Sequence, residues 1–143
     1  MSWQRAAGAG VLLGAWLAGA SAAPPAGGDA QRGEALYVRC AACHALAYDR
    51  VGPRHCGLLG RRAGSVAGFD YSAAMRRSGL VWDEATLIRF LENPLALVPG
   101  SAMTYAGMPD LSERRDLVAY LKAANAGAAC RGLAPAPAKS QKY

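Results

Sequence analysis

Cys40-Ala41-Ala42-Cys43-His44 is the stretch on which the reading of this chain turns. Two thiols three residues apart lie on one helical turn, from which both can reach the two vinyl groups on one edge of a porphyrin. The histidine next in line then falls under the iron as a neutral imidazole ligand. Two other chemistries share part of the pattern. A redox dithiol normally follows a strand of a βαβ unit, and no strand pattern precedes Cys40. A zinc site could draw on Cys43, His55 and Cys56, but zinc-binding pairs usually repeat and the chain has no second C-x-x-C. Covalent attachment of one haem c through Cys40 and Cys43, with His44 as an iron ligand, is the expectation.

Working outward, the N-terminus reads as an export signal. Arg5 supplies the positive charge, Ala6 to Ala20 the apolar run, and Ala20-Ser21-Ala22 the small-residue pattern. Residues 1–22 are therefore expected to be a signal peptide, cut after Ala22 or Ala23, which leaves no membrane span and places the protein in the periplasm. Retention of the segment as an anchor is the alternative. Without Arg5 the chain carries 15 basic against 10 acidic residues. The basic residues are scattered, a distribution typical of a solvated surface rather than of nucleic-acid binding.

One domain is expected over residues 28–130, followed by an Ala/Pro/Lys-rich tail at 131–143 expected to be disordered. Asp29 can cap a helix on which Gly33, Leu36, Tyr37 and Cys40 recur at helical spacing, delivering the haem motif at its last turn. Ala45 to Gly68 reads as a loop that needs a ligand to organise it. A short helix follows over Tyr71 to Ser78. Another, capped by Asp83, buries Leu87, Phe90 and Leu91 and stops at Asn93-Pro94. A second loop runs from Leu95 to Asp110. Ser112 then caps a last helix through Leu117, Tyr120, Leu121 and Ala124, ended by Gly127. The fold class is all-α, with helices joined by long loops wrapped around a covalently bound haem.

Three methionines could close the other face of the iron. Met75 lies on a short helix, Met108 abuts Pro109, and Met103 follows Pro99-Gly100-Ser101 in a loop. Methionine is more often core filling, but the loop position singles out Met103 as the second metal ligand beside His44. Cys56 and Cys130 are left over, and an even remainder in an exported protein points to a disulfide between them.

Cys40-Ala41-Ala42-Cys43-His44, Gly52-Pro53, Gly57-Leu58-Leu59-Gly60-Arg61, Gly68-Phe69-Asp70-Tyr71, Gly79-Leu80-Val81-Trp82, Leu91-Glu92-Asn93-Pro94 and Pro99-Gly100-Ser101-Ala102-Met103 occur in that order. From Gly28 to about Ala126 the chain resembles the class I c-type cytochromes, soluble mitochondrial cytochrome c and its bacterial periplasmic counterparts. The resemblance implies a small single-haem cytochrome c fold. It makes Pro53 the acceptor for the second ring nitrogen of His44. Tyr71, Trp82 and Ser101 would donate to the haem propionates, with Arg61 supplying charge nearby. Gly33 would let the first helix cross the last one closely against Tyr120, with Tyr37 beside them.

The chain also departs from that family's pattern. Phe90 stands where a tyrosine is frequent, Met75 where an asparagine is, and His55 where an apolar residue packs on the proximal side. His55 then reads as a satisfied core histidine or as a competing ligand in partly unfolded states. Leu95, Ala102, Pro109 and Asp110 occupy positions where lysines are common, which weakens the case for a strongly acidic docking partner. The function implied is a monomeric one-electron carrier, not an enzyme, that docks transiently through the exposed haem edge with membrane or periplasmic electron donors and acceptors. The alternatives are an open-site c-type haem protein with peroxidase or gas-binding activity, and a subunit fixed to one oxidoreductase.

Overall fold

Asp29 starts the first helix as its side chain predicts. Its carboxylate accepts from the Gln31 and Arg32 backbone N–H groups at 2.8 and 3.0 Å, closing two of the donors left open at the start of α1, Ala30–Ala41. The computed structural model describes residues 27–133. The expected signal segment and residues 134–143 of the expected tail lie outside the described residues.

The second element, α2 (Ala73–Arg77), is shorter than the Tyr71 to Ser78 that the sequence implies, because Ser72 caps it: the Ser72 hydroxyl accepts from Met75 N–H at 3.1 Å. Asp83 caps α3 (Glu84–Glu92) by accepting from Thr86 N–H at 2.6 Å. Asn93-Pro94 ends α3 but also opens a further turn, α4 (Pro94–Leu97), where the sequence reading expects loop. The Asn93 side chain accepts from Ala96 N–H at 3.1 Å, and proline is pre-set for a first helical position. The last helix, α5 (Leu111–Ala126), is capped by Asp110 instead of Ser112, whose own N–H donates to the Asp110 carboxylate at 2.6 Å. A carboxylate two residues upstream takes the role because it reaches two N–H groups and carries charge of the favourable sign. Gly127 follows α5, and a 3-10 turn covers Ala128–Cys130.

Among the described residues there is no strand, only one antiparallel bridge between Arg62 and Val81. Around it Gly60 N–H donates to Trp82 C=O, Trp82 N–H to Arg61 C=O and Ala63 N–H to Leu80 C=O, each at 2.9 Å. That pairing brings Arg61 and Trp82 side by side although they stand twenty-one positions apart.

The first and last helices form the main packing pair. A Cβ on Gly33 would stand 1.9 Å from the Asp116 carbonyl oxygen and 2.7 Å from the Tyr120 Cβ, so only glycine admits this crossing. Asp116, 4% exposed, reinforces the junction: it accepts from Asp29 N–H at 2.7 Å and from Arg32 Nε at 2.7 Å. Hydrogen bonding to Arg32 holds its carboxyl below the usual carboxylate range. Leu117, Val118 and Leu121 of α5 bury with Leu87, Phe90 and Leu91 of α3, and Trp82, Val98 and Met108 complete this core. Each such aliphatic side chain contributes on the order of 1.5–3 kcal/mol when fully withdrawn from water.

Candidate cofactor site

The last turn of α1 delivers the motif as one unit. Cys43 and His44 both direct their backbone N–H groups to the Cys40 carbonyl, at 3.1 and 2.9 Å. Cys40 is half-buried and Cys43 exposed, and neither thiol is bonded to another sulfur. Burial pushes the Cys40 thiol up to about 11, against an opposing pull from Arg39. Arg50 caps this end by donating to the Ala41 carbonyl.

The loop after the motif folds back under it. Gly52 N–H donates to Cys43 C=O at 2.7 Å, and Cys56 N–H to Leu46 C=O at 2.7 Å. The return places the Pro53 carbonyl 2.7 Å from His44 Nδ1. Nδ1 therefore carries the proton, and Nε2 keeps a lone pair free for a metal. Burial lowers the His44 pKa, which favours the same neutral form. Gly52 lies against the ring so closely that a Cβ there would sit 2.3 Å from Cε1.

His55 is the feature that the sequence assigns least well. Its ring stacks on that of His44 with centroids 4.3 Å apart and planes 20° from parallel. Its Nδ1 lies 3.1 Å from the Tyr37 hydroxyl on α1. Burial pushes its pKa down to about 3, so it stays neutral. Asn125 of α5 secures the same loop, donating to the His55 and Leu121 carbonyls at 3.1 and 2.7 Å and accepting from Leu58 N–H at 3.1 Å. Neither contact is visible in the sequence, since each depends on where the loop returns.

Arg61 spans two carbonyls, donating to Cys56 and Arg54 at 3.1 and 3.0 Å, while its Nε is buried with no partner. A half-buried guanidinium with an enclosed, open donor suits a carboxylate, and a haem brings two. Tyr71 lies close enough for Arg61 to pull its pKa down, although burial outweighs this and raises it. Trp82, 7% exposed, packs on Phe90 with centroids 4.9 Å apart. The Ser101 hydroxyl accepts from Met103 N–H at 3.2 Å and keeps its own proton to donate. Met75 and Met108 are buried core residues, whereas Met103 is only partly buried and lies in the loop before α5.

Two thiols, an imidazole with a free nitrogen, an open buried donor and a loop thioether make a donor set that fits a haem. A zinc site is not formed: among the described residues no three His, Cys, Asp or Glu side chains converge. Cys56 instead faces Cys130, with sulfurs 1.98 Å and Cα atoms 5.2 Å apart.

Comparison with known proteins bears on the same residues. The family model described as cytochrome c matches residues 30–125. Cytochrome c2 of Rhodomicrobium vannielii is 45% identical over 104 residues, 71% of this chain and 83% of that protein. Cytochrome c2 of Blastochloris viridis is 39% identical over 119 residues, 81% of this chain and 94% of its own. Among solved structures, cytochrome cH from Methylobacterium extorquens aligns with a TM-score of 0.66 at 40% identity, covering 67% of this chain and 99% of that one.

Proposed function

The chain belongs to the cytochrome c family, and on that premise we propose that it is a periplasmic one-electron carrier whose haem iron is held by His44 and Met103. Haem c, attached through Cys40 and Cys43 as the motif and the family require, supplies the iron that alternates between two oxidation states. The protein contributes position and environment. Pro53 and Gly52 hold the His44 ring with Nε2 outward. Ser101 tethers the backbone of Met103, which limits how far the thioether can stray. Arg61, Tyr71, Trp82 and Ser101 serve the propionates, keeping two carboxylates stable in a largely apolar setting. Histidine/methionine ligation in such a setting favours the reduced form.

The observation that carries this reading is the His44–Pro53 contact beside two free thiols, since it presents one imidazole lone pair at a fixed angle to a covalent anchor. Export by residues 1–22 puts the chain in an oxidising compartment, where Cys56 and Cys130 form a disulfide. The protein acts as a monomer, and transient docking of donors and acceptors takes place where Cys43 reaches the surface, because that thioether marks the porphyrin edge.

The test is the absorption spectrum of the oxidised, exported holoprotein beside Met103→Ala. A weak sulfur-to-iron charge-transfer band in the parent that vanishes in the variant is expected. Its absence from the parent would favour the open-site haem protein that binds gas or peroxide.

A further inference from the structure

We propose that His55 is a positioning residue that locks the plane of the His44 imidazole about its iron bond, with Tyr37 as the anchor that holds His55 in place. The proposal rests on the His44 ligation above and goes beyond it. A metal-bound imidazole keeps one freedom, rotation about the metal–nitrogen axis, and that angle fixes which porphyrin orbitals share the unpaired electron of the ferric iron. One hydrogen bond at Nδ1 restrains the angle loosely, because a carbonyl oxygen tolerates a broad range of donor directions.

Here the ring is enclosed on more than one side. The Pro53 carbonyl engages its edge at 2.7 Å. Gly52 lies against Cε1, close enough that even a methyl group would collide. The flat face of His55 lies over it, 4.3 Å away and 20° from parallel. An aliphatic side chain could fill the same volume, but it would present a rounded surface against which an aromatic ring can turn. A second imidazole presents a plane.

A plane orients its neighbour only if it is itself held. The Tyr37 hydroxyl, 3.1 Å from His55 Nδ1, stops the ring from flipping. Tyr37 is fixed in turn, tilted against Tyr120 with centroids 5.1 Å apart. The chain His44–His55–Tyr37–Tyr120 thus ties the ligand plane to the crossing of α1 and α5.

The experiment compares the ferric holoprotein with His55→Leu and Tyr37→Phe by electron paramagnetic resonance and by the paramagnetic shifts of the haem methyl protons. His55→Leu keeps the volume and loses both the plane and the hydrogen bond; Tyr37→Phe keeps the plane and loses the anchor. Both are expected to change the g-anisotropy and the spread and order of the methyl shifts, His55→Leu more than Tyr37→Phe, with haem still attached. Low-spin spectra identical in all three proteins would overturn the proposal. A shift in His55→Leu with none in Tyr37→Phe would overturn Tyr37 as anchor and with it the proposal as stated. Failure of the underlying ligation reads differently, as the absence of a low-spin signal from every one of the three. Tyr37→Phe removes one oxygen atom, so it keeps the test usable if His55→Leu fails to fold.

Discussion

Replacing Gly33 by alanine isolates the helix crossing on which the domain depends. Alanine is the better helix former by about 1 kcal/mol, so in an open stretch of α1 the change would stabilise. At this crossing the new Cβ would stand 1.9 Å from the Asp116 carbonyl oxygen, whereas unstrained carbon–oxygen contacts lie beyond about 3.3 Å. Backbone cannot rotate out of the way, so α1 and α5 must part by roughly 1 Å or more, and contacts opened that far forfeit a quarter to a half of their attraction. Parting also lengthens the bonds from Asp29 N–H and Arg32 Nε to Asp116. Overpacking of this kind typically costs about 1–3 kcal/mol. With the weakened Asp116 contacts added and the helix-propensity gain deducted, the net loss is expected at about 2–3 kcal/mol. Guanidinium unfolding of the ferric holoprotein, followed by the haem absorbance, reads it directly as a lower midpoint at unchanged slope. A midpoint equal to or above that of the parent would refute the close crossing.

Three other outcomes follow from the site. His55 is neutral in the folded chain down to about pH 3 but protonates in the unfolded chain below its ordinary 6.5; between those values the unfolded state binds the extra proton, so stability falls as pH is lowered, by about 1.4 kcal/mol per unit at most. Depressed carboxyls such as Asp116 add to the acid loss as pH falls from their unfolded value of about 4 to their folded one, so His55→Leu should flatten the slope most clearly from pH 6 to 5 in pH-resolved denaturation. Arg61→Leu removes a cation beside the proposed propionate positions and should lower the midpoint potential in a spectroelectrochemical titration, while Arg61→Lys lowers it less, because it keeps the charge and loses the fork. Cys56→Ser with Cys130→Ser opens a loop of 74 residues' separation and should lower thermal and denaturant stability by about 4 kcal/mol in the chain-entropy model; two alkylatable thiols in the parent would show that no cross-link was there to lose.

The local signals in the sequence translate well into structure. Asp29 and Asp83 read as caps because a carboxylate before an apolar helical repeat meets open N–H groups with no tertiary help, and C-x-x-C-H defines its chemistry by spacing alone. Where two cap residues stand close together the sequence is ambiguous, and Asp110 takes the place expected of Ser112. Asn93-Pro94 was legible as a stop but not also as a start, since the same two residues serve both ends. What stays hidden is the part made by return of the chain. No local pattern marks Asp116, which the structure buries against Arg32, and His55 shows its partner only once the loop has folded under His44.

The pairing of the first helix with the last sets an order of events in maturation. At 12 residues, α1 is too short to hold its shape alone in water. The surface that steadies it is supplied by Asp116 and its neighbours, 87 positions downstream of Asp29. Until that surface has been synthesised, the two thiols ride on a fluctuating segment and stay open to reaction. Once α5 docks, the half-buried sulfur of Cys40 is withdrawn from reach. Both thiols are thus easier to reach before the ends of the chain meet than after.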